Sequence, residues 1–217
     1  MSTYKIILFD LDGTLSDPKE GITKSVQYAL QKFNIEEENL DKLDCFIGPP
    51  LKESFAEFYD FDDEKSNQAV DYYRDRFKMK GMFENQLYPC IPQLLQKLKQ
   101  KYILVVATSK PTVFSQQILE FFHINDYFDV VVGSNLDGTR SSKTEIIQYI
   151  LEQYKEYQLV DFVMIGDRKY DIAGANNNHI DSIGVTYGYG SKEELLQSHP
   201  TFIVESVSEL KRILLGQ

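Results

Sequence analysis

Five short apolar runs punctuate the chain: Lys5-Ile6-Ile7-Leu8-Phe9, Ile103-Leu104-Val105-Val106-Ala107, Phe128-Asp129-Val130-Val131-Val132, Phe162-Val163-Met164-Ile165 and Ser182-Ile183-Gly184-Val185. Each is short and stops at polar or glycine residues, which predicts a buried strand. Between them, residues 92–100, 113–122, 143–157 and 171–177 carry patterns that predict helices. Strands alternating with helices predict an α/β fold whose parallel sheet is covered on both faces. In such open sheets ligands bind beyond the C-terminal ends of the strands. That edge is where Asp10-Leu11-Asp12-Gly13-Thr14, Thr108-Ser109-Lys110-Pro111, Gly133-Ser134, Gly166-Asp167 and Thr186-Tyr187-Gly188 stand.

One stretch breaks the alternation. Residues 17–83 hold no strand pattern but predict helices over 21–33, 51–59 and 63–78. The first carries Ile22, Val26, Ala29 and Leu30 at helical spacing, and the last puts Val70, Tyr73 and Phe77 on one face. Gly48-Pro49-Pro50 and Tyr59-Asp60-Phe61-Asp62-Asp63 read as the turns between them. The expected organisation is a core of residues 1–16 and 84–217, interrupted by a helical insert over 17–83.

Composition narrows the functional classes. With 217 residues, 42% hydrophobic and 26% charged, the chain has the balance of a soluble globular protein. No apolar run approaches the ~20 residues that span a bilayer. Met1-Ser2-Thr3-Tyr4-Lys5 lacks the apolar core of a signal peptide, so the expected address is cytoplasmic. A net charge of −10 opposes binding to nucleic acid or anionic membrane. It leaves room for a small anionic substrate, because a local cation or metal overrides the global field. The two cysteines, Cys45 and Cys90, form no CxxC pair and predict reduced thiols.

Candidate chemistry concentrates at the first strand end. A loop there can turn Asp10 and Asp12 toward one point, while Gly13 permits a backbone conformation other residues resist. Paired acids suit a nucleophile plus a general acid/base, and either can bind a hard cation through oxygen. A plain turn after a strand is the bland alternative.

Taken in order, Asp10-Leu11-Asp12-Gly13-Thr14-Leu15, Thr108, Lys143, and Gly166-Asp167 with Asp171 resemble the four motifs of the haloacid dehalogenase-like superfamily of hydrolases. The resemblance covers essentially the whole chain, and the insert resembles the helical cap of the phosphoglycolate phosphatase-like branch. It implies a Rossmann-like doubly wound core and a Mg²⁺-dependent phosphomonoesterase acting on a small phosphorylated metabolite, phosphoglycolate phosphatase-like or 5′-nucleotidase-like. Asp10 would be the nucleophile and Asp12 the acid/base, with Thr108 and backbone N–H groups near Leu11, Asp12 and Ser109 holding the phosphoryl group. Lys143 would neutralise charge. Mg²⁺ would be held by the Asp10 side chain, the Asp12 carbonyl and Asp167, with Asp171 orienting a metal-bound water or Lys143. Each residue has a structural alternative. Thr108 could cap a helix beginning near Pro111, Lys143 could be a solvated first-turn lysine, and Asp167 and Asp171 could be capping acids.

An acid at Asp12 favours phosphoryl transfer over carbon–halogen cleavage, since an alkoxide leaving group needs a proton. Other readings are a phosphosugar mutase resembling beta-phosphoglucomutase, a phosphonate-cleaving enzyme using Lys19, Lys24 or Lys52 as a Schiff base, and a noncatalytic phosphometabolite-binding regulator. In the insert, Gly48 within Phe46-Ile47-Gly48-Pro49-Pro50-Leu51 resembles the cap loop that reads substrate. Arg74, Arg76, Lys78 and Lys80 form a basic cluster whose default is a solvated helix face. Lys110 is a better placed cation for a second anionic group of the substrate. Tyr88-Pro89-Cys90 departs from the Tyr-Pro-Gly usual in the resembled family at the return from the cap. His123, His179 and His199 fit no motif. A monomer is the default assembly, with a weak homodimer as the alternative.

Overall fold

The computed structural model describes residues 4–216, so what was read from Met1-Ser2-Thr3 lies outside the described residues. The chain divides into two compact units, Met1–Asp17 with Leu87–Gln217, and Pro18–Gln86.

The strands are β1 (Ile6–Phe9), β2 (Ser16–Asp17), β3 (Gln86–Leu87), β4 (Ile103–Pro111), β5 (Val130–Ser134), β6 (Phe162–Gly166), β7 (Asp181–Val185) and β8 (Phe202–Val204). The helices are α1 (Lys19–Gln31), α2 (Leu51–Tyr59), α3 (Asp63–Met79), α4 (Ile91–Leu98), α5 (Thr112–Phe121), α6 (Lys143–Gln153), α7 (Lys169–Asn177), α8 (Lys192–Gln197) and α9 (Val207–Leu215). The main sheet has six strands in the order β5-β4-β1-β6-β7-β8, while β2 and β3 form a separate two-stranded sheet. The main-sheet pairings are parallel, with Leu8 opposite Val105 on one side and Met164 on the other. All four residues of β1 are fully buried, which explains why that strand reads as an unbroken apolar run.

Alternate strand residues build the two faces. Leu8, Val105, Ala107 and Met164 pack with Ile146, Ile147 and Ile150 of α6 and Ala175 of α7. On α4, Ile91, Leu94, Leu95 and Leu98 are buried, and α4 packs against α9. Helices therefore cover the sheet as an α/β, doubly wound core.

Several bounds differ from expectation. The strand expected over 128–132 is β5, shifted two residues on. Asp129 is held at its edge, where its carboxylate accepts the Leu104 N–H at 3.0 Å. The helix expected over 143–157 ends at Gln153 because the next aromatics turn inward, Tyr157 packing edge-on against Phe162 at 6.4 Å. Strand β4 runs on through Pro111, so the Thr108 segment is extended backbone. The elements β8, α8 and α9 lie beyond the last run read from the sequence and are not among the expected elements.

In the helical unit, α3 buries Ala69, Tyr73 and Phe77, while Val70, expected on that face, is only half-buried. Arg76 reaches Glu84 through two contacts of 2.8 and 3.0 Å and Ser25 Oγ at 3.1 Å. That member of the basic cluster thus serves its own unit's packing, whereas Lys78 and Lys80 are exposed and Arg74 is half-buried. His123, His179 and His199 share a left-handed backbone, with φ of 56, 57 and 58°, just beyond the ends of α5, α7 and α8. Their place is helix termination, a position usually filled by glycine or asparagine.

Candidate active site

Where β1 ends, the backbone N–H of Asp10 still donates to Ile165 of β6 at 2.9 Å, so its carboxylate emerges at the C-terminal edge of the sheet centre. The chain then turns tightly, with the Leu15 and Ser16 N–H groups both donating to the Leu11 carbonyl. Leu11 itself is an anchor, its side chain fully buried. Gly13 has φ +83°, and a Cβ on it would collide with the Asp167 carboxylate. Sterics and the left-handed backbone therefore both exclude a side chain there.

Lys143 begins α6, directly after Ser142, whose side chain and Glu145 form a capping box that fixes the helix start. Its side chain is 3% exposed. The ammonium lies 2.7 Å from Asp10 Oδ1, 2.5 Å from Asp171 Oδ1 and 2.9 Å from the Ala107 carbonyl, to which it donates. Burial opposes its charge, yet the Asp10 and Asp171 carboxylates together outweigh that and raise its pKa. The solvated-lysine alternative is thereby set aside.

Asp167 and Asp171 flank the start of α7. Asp171 Oδ2 accepts the Arg168 N–H at 3.0 Å, so the capping alternative holds for it in addition to the ion pair. Burial pushes its carboxyl up to about 6 against the lowering pull of Lys143. Asp167 is fully buried and precedes α7, whose cap position is Arg168. Its Oδ2 accepts the Tyr189 N–H at 2.7 Å, and its Oδ1 accepts the Thr14 hydroxyl at 3.3 Å. Burial, then the charges of Asp171 and Asp10, drive its pKa well above the carboxylate range.

Asp12 faces a different cation. Its Oδ2 lies 2.8 Å from Lys110 Nζ, on a lysine side chain only 7% exposed. Its Oδ1 is buried without a hydrogen-bond partner among the described residues. Burial raises the Asp12 pKa, which Lys110 partly offsets. Thr108 is buried on β4 and its hydroxyl accepts the Lys110 N–H at 3.3 Å. Helix α5 starts at Thr112 with Pro111 at its cap and no side-chain capping bond, so Thr108 is not that helix's cap. Ser109 is half-buried beside it.

Asp10, Asp12, Thr108, Lys110, Lys143, Asp167 and Asp171 therefore share one sheet edge. Gly48 belongs to the helical unit, in the turn between Phe46 and α2, with φ +109°. Sequence reasoning set Tyr187 at the ligand edge and Tyr88 at the return from the cap without giving either a role, and it did not name Tyr189. Tyr187 donates its hydroxyl to the Thr14 carbonyl at 3.1 Å and packs edge-on against Tyr88 at 5.0 Å, while Tyr189 donates its amide to Asp167. Burial, then nearby carboxylates, raises the pKa of both Tyr88 and Tyr187, which keeps both phenols neutral. The signal available was Thr186-Tyr187-Gly188 at the end of an apolar run.

Carboxylate oxygens of Asp10, Asp167 and Asp171 lie within 4.8 Å of one another, all buried. Against these three crowded carboxyl groups the cluster sets one ammonium, Lys143, and the upward shifts of Asp167 and Asp171 show how far their ionisation is opposed without more positive charge. An all-oxygen, electron-rich and undercompensated cluster fits a hard divalent cation.

Residues 7–185 match the family model described as haloacid dehalogenase-like hydrolase. The chain is 44% identical over 212 residues to a 5′-nucleotidase of Pseudomonas aeruginosa, covering 97% of this chain and 96% of that one. It is 29% identical to a phosphoglycolate phosphatase of Vibrio parahaemolyticus, covering 97% and 96%. A crystal structure of a predicted phosphatase from Clostridium acetobutylicum superposes with a TM-score of 0.96 at 55% identity over 99% of both chains. On its motifs, its sheet and this match, the chain belongs to the haloacid dehalogenase-like hydrolase family.

Proposed function

We propose that this chain is a Mg²⁺-dependent phosphomonoesterase that forms an aspartyl phosphate on Asp10, with small phosphorylated metabolites of the 5′-nucleotide class as its first candidate substrates. The observation that carries the mechanism is the Lys143 ammonium held 2.7 Å from Asp10 and 2.5 Å from Asp171. A carboxylate attacks a phosphate dianion only where fixed positive charge offsets their repulsion. Identity of 44% over nearly the full length of both proteins, against 29% for the phosphoglycolate enzyme, supports assaying nucleotides first.

In the first step an Asp10 carboxylate oxygen attacks phosphorus, the bond from phosphorus to the leaving oxygen breaks, and Asp12 donates a proton to that oxygen. In the second, the Asp12 carboxylate takes a proton from water as the water oxygen attacks phosphorus. Inorganic phosphate leaves and the Asp10 carboxylate is restored. The raised pKa of Asp12 suits the donor role, and Lys110 steadies its ionised form between steps. Thr108, with backbone N–H groups near Leu11 and Ser109, holds the phosphoryl oxygens, and Lys143 neutralises charge as it builds. Asp10 and Asp167, with the Asp12 carbonyl, would hold Mg²⁺, which when bound supplies further charge neutralisation. Asp171 orients Lys143. Residues 17–83, the helical cap with its Gly48 turn, select the substrate, and residues 1–16 with 84–217 form the catalytic core. Reduced thiols at Cys45 and Cys90 suit a cytoplasmic address, and a monomer is the default assembly.

Phosphonate cleavage is disfavoured by the insert lysines. Lys19 lies 2.7 Å from both Asp41 and Asp44, whose hydrogen bonds raise its pKa, whereas a Schiff base needs the neutral amine. Lys24 and Lys52 are paired with Glu20 and Asp63. The mutase and the noncatalytic binder are separated by product. Phosphate release would be assayed on nucleoside monophosphates, phosphoglycolate, sugar phosphates and polyol phosphates, with Mg²⁺ and with chelator. Metal-dependent release that disappears in Asp10→Asn supports the proposal. Phosphate exchange without release would identify a mutase, and tight binding without either would identify a regulator.

A further inference from the structure

The segment after β7, Thr186-Tyr187-Gly188-Tyr189-Gly190, packs against Asp167 of the carboxylate cluster. A Cβ on Gly188 would collide with the Asp167 side chain and the Gly13 carbonyl, so the backbone there has no room to slide. Within this segment Tyr189 bonds at both ends. Its amide donates to Asp167 Oδ2 at 2.7 Å, and its phenol donates to Asp17 Oδ1. Asp17 ends β2 and is the last residue of the first compact unit before the chain leaves for the helical one. The neighbouring Tyr187 hydroxyl holds Thr14, three residues before Asp17.

We propose that Tyr189 is a positioning residue that couples cation binding at the Asp10, Asp167 and Asp171 cluster to the order of β2. This rests on the reading of that cluster as a divalent-cation site. Its phenol pins the ring to β2, its ring carries the backbone, and its amide fixes one oxygen of Asp167. An ion drawing on the other Asp167 oxygen is then bound by a carboxylate whose rotation is already restricted. Coupling of this kind is reciprocal, so cation binding also orders residues 14–17. The link runs over 172 residues of sequence yet only one side chain in space.

The test uses the full chain without substrate. Mn²⁺ binding is measured by calorimetry, and hydrogen exchange of the 14–17 amides is followed with and without Mn²⁺. In wild type, Mn²⁺ slows exchange in that stretch. Tyr189→Phe keeps the amide bond and loses the phenol bond. Its Mn²⁺ affinity falls about 10-fold, the lower end for loss of an outer-shell partner, and exchange at 14–17 responds to the ion less than in wild type, the Thr14 hydroxyl on Asp167 Oδ1 being the link that remains. Asp17→Ala gives the same loss by removing the acceptor while leaving the Tyr189 side chain itself intact, Asp17→Asn restores most of the affinity because it keeps an acceptor, and Tyr189→Phe/Asp17→Ala is no worse than either alone. Binding that requires Asp167 but is unchanged in Tyr189→Phe and Asp17→Ala overturns the coupling alone, as do losses that multiply in the double variant. Binding indifferent to Asp167→Asn overturns the cation site and the coupling with it.

Discussion

Replacing Lys143 by Met tests the site at its most highly charged point. The substitution keeps the length of the side chain but removes an ammonium that is 3% exposed and lies between Asp10 and Asp171, themselves 4% and 1% exposed. Breaking a buried ion pair by deleting one partner costs about 3–5 kcal/mol, because the other charge is left uncompensated. Here two carboxylates lose their cation, but Asp171 keeps the Arg168 N–H at 3.0 Å, so about 4 kcal/mol is expected. At ~2–4 °C per kcal/mol for a chain of this size, the melting temperature in chelator should fall by about 8–16 °C. Turnover should fall further than stability alone explains, by about 10²–10³, the usual effect of losing one preorganised electrostatic group. Adding Asp171→Asn separates the two roles. Removing one excess negative charge should return about 1–2 kcal/mol of stability without restoring turnover. Melting by circular dichroism and phosphate release on the same preparations provide both readouts. A Lys143→Met protein that melts within about 2 °C of wild type, or retains over about a tenth of its turnover, would refute the reasoning.

Asp12→Asn should slow alkyl phosphates, whose poor leaving groups need a proton, far more than aryl phosphates; equal losses in kcat on the two classes would remove Asp12 from the acid role. In the helical unit, Arg76 holds the Glu84 carboxyl below its usual range, so the pair's stabilisation is complete above the ordinary glutamate pKa of ~4.3 and is lost as pH falls through the lowered value. Arg76→Met should therefore cost about 1–2 kcal/mol near neutral pH, with the deficit against wild type shrinking toward pH 3 in urea titrations. A deficit that is constant with pH would assign the loss to packing. Cys90 sits exposed at the start of α4 with φ +69°, where only glycine is at ease, so Cys90→Gly should stabilise by about 0.5–1 kcal/mol and Cys90→Ala should not. Equal urea midpoints for the two variants would show that the backbone there carries no strain.

Much of this protein is legible in one dimension. A strand buried on both faces must be apolar at every position, so β1 announces itself, and the residues that follow such strands mark the ligand edge of a parallel sheet. Asp10, Thr108 and Asp167 follow strand ends or continue strands, so their convergence follows from alternation of local elements. Lys143 is equally local in origin, since Ser142 and Glu145 fix where its helix starts. Left to the tertiary structure were the partners. Lys110 reads in sequence as a substrate cation, but only the folded chain sets its ammonium 2.8 Å from Asp12. Arg76 reads as one of four solvated charges until Glu84 and Ser25 close around it. Tyr189 carries no motif, and its two bonds reach across 22 and 172 residues. The division has a physical cause: backbone periodicity and strand ends are set by near neighbours along the chain. Burial of a charge, and the oxygen that answers it, depend on residues that only the closed sheet brings together.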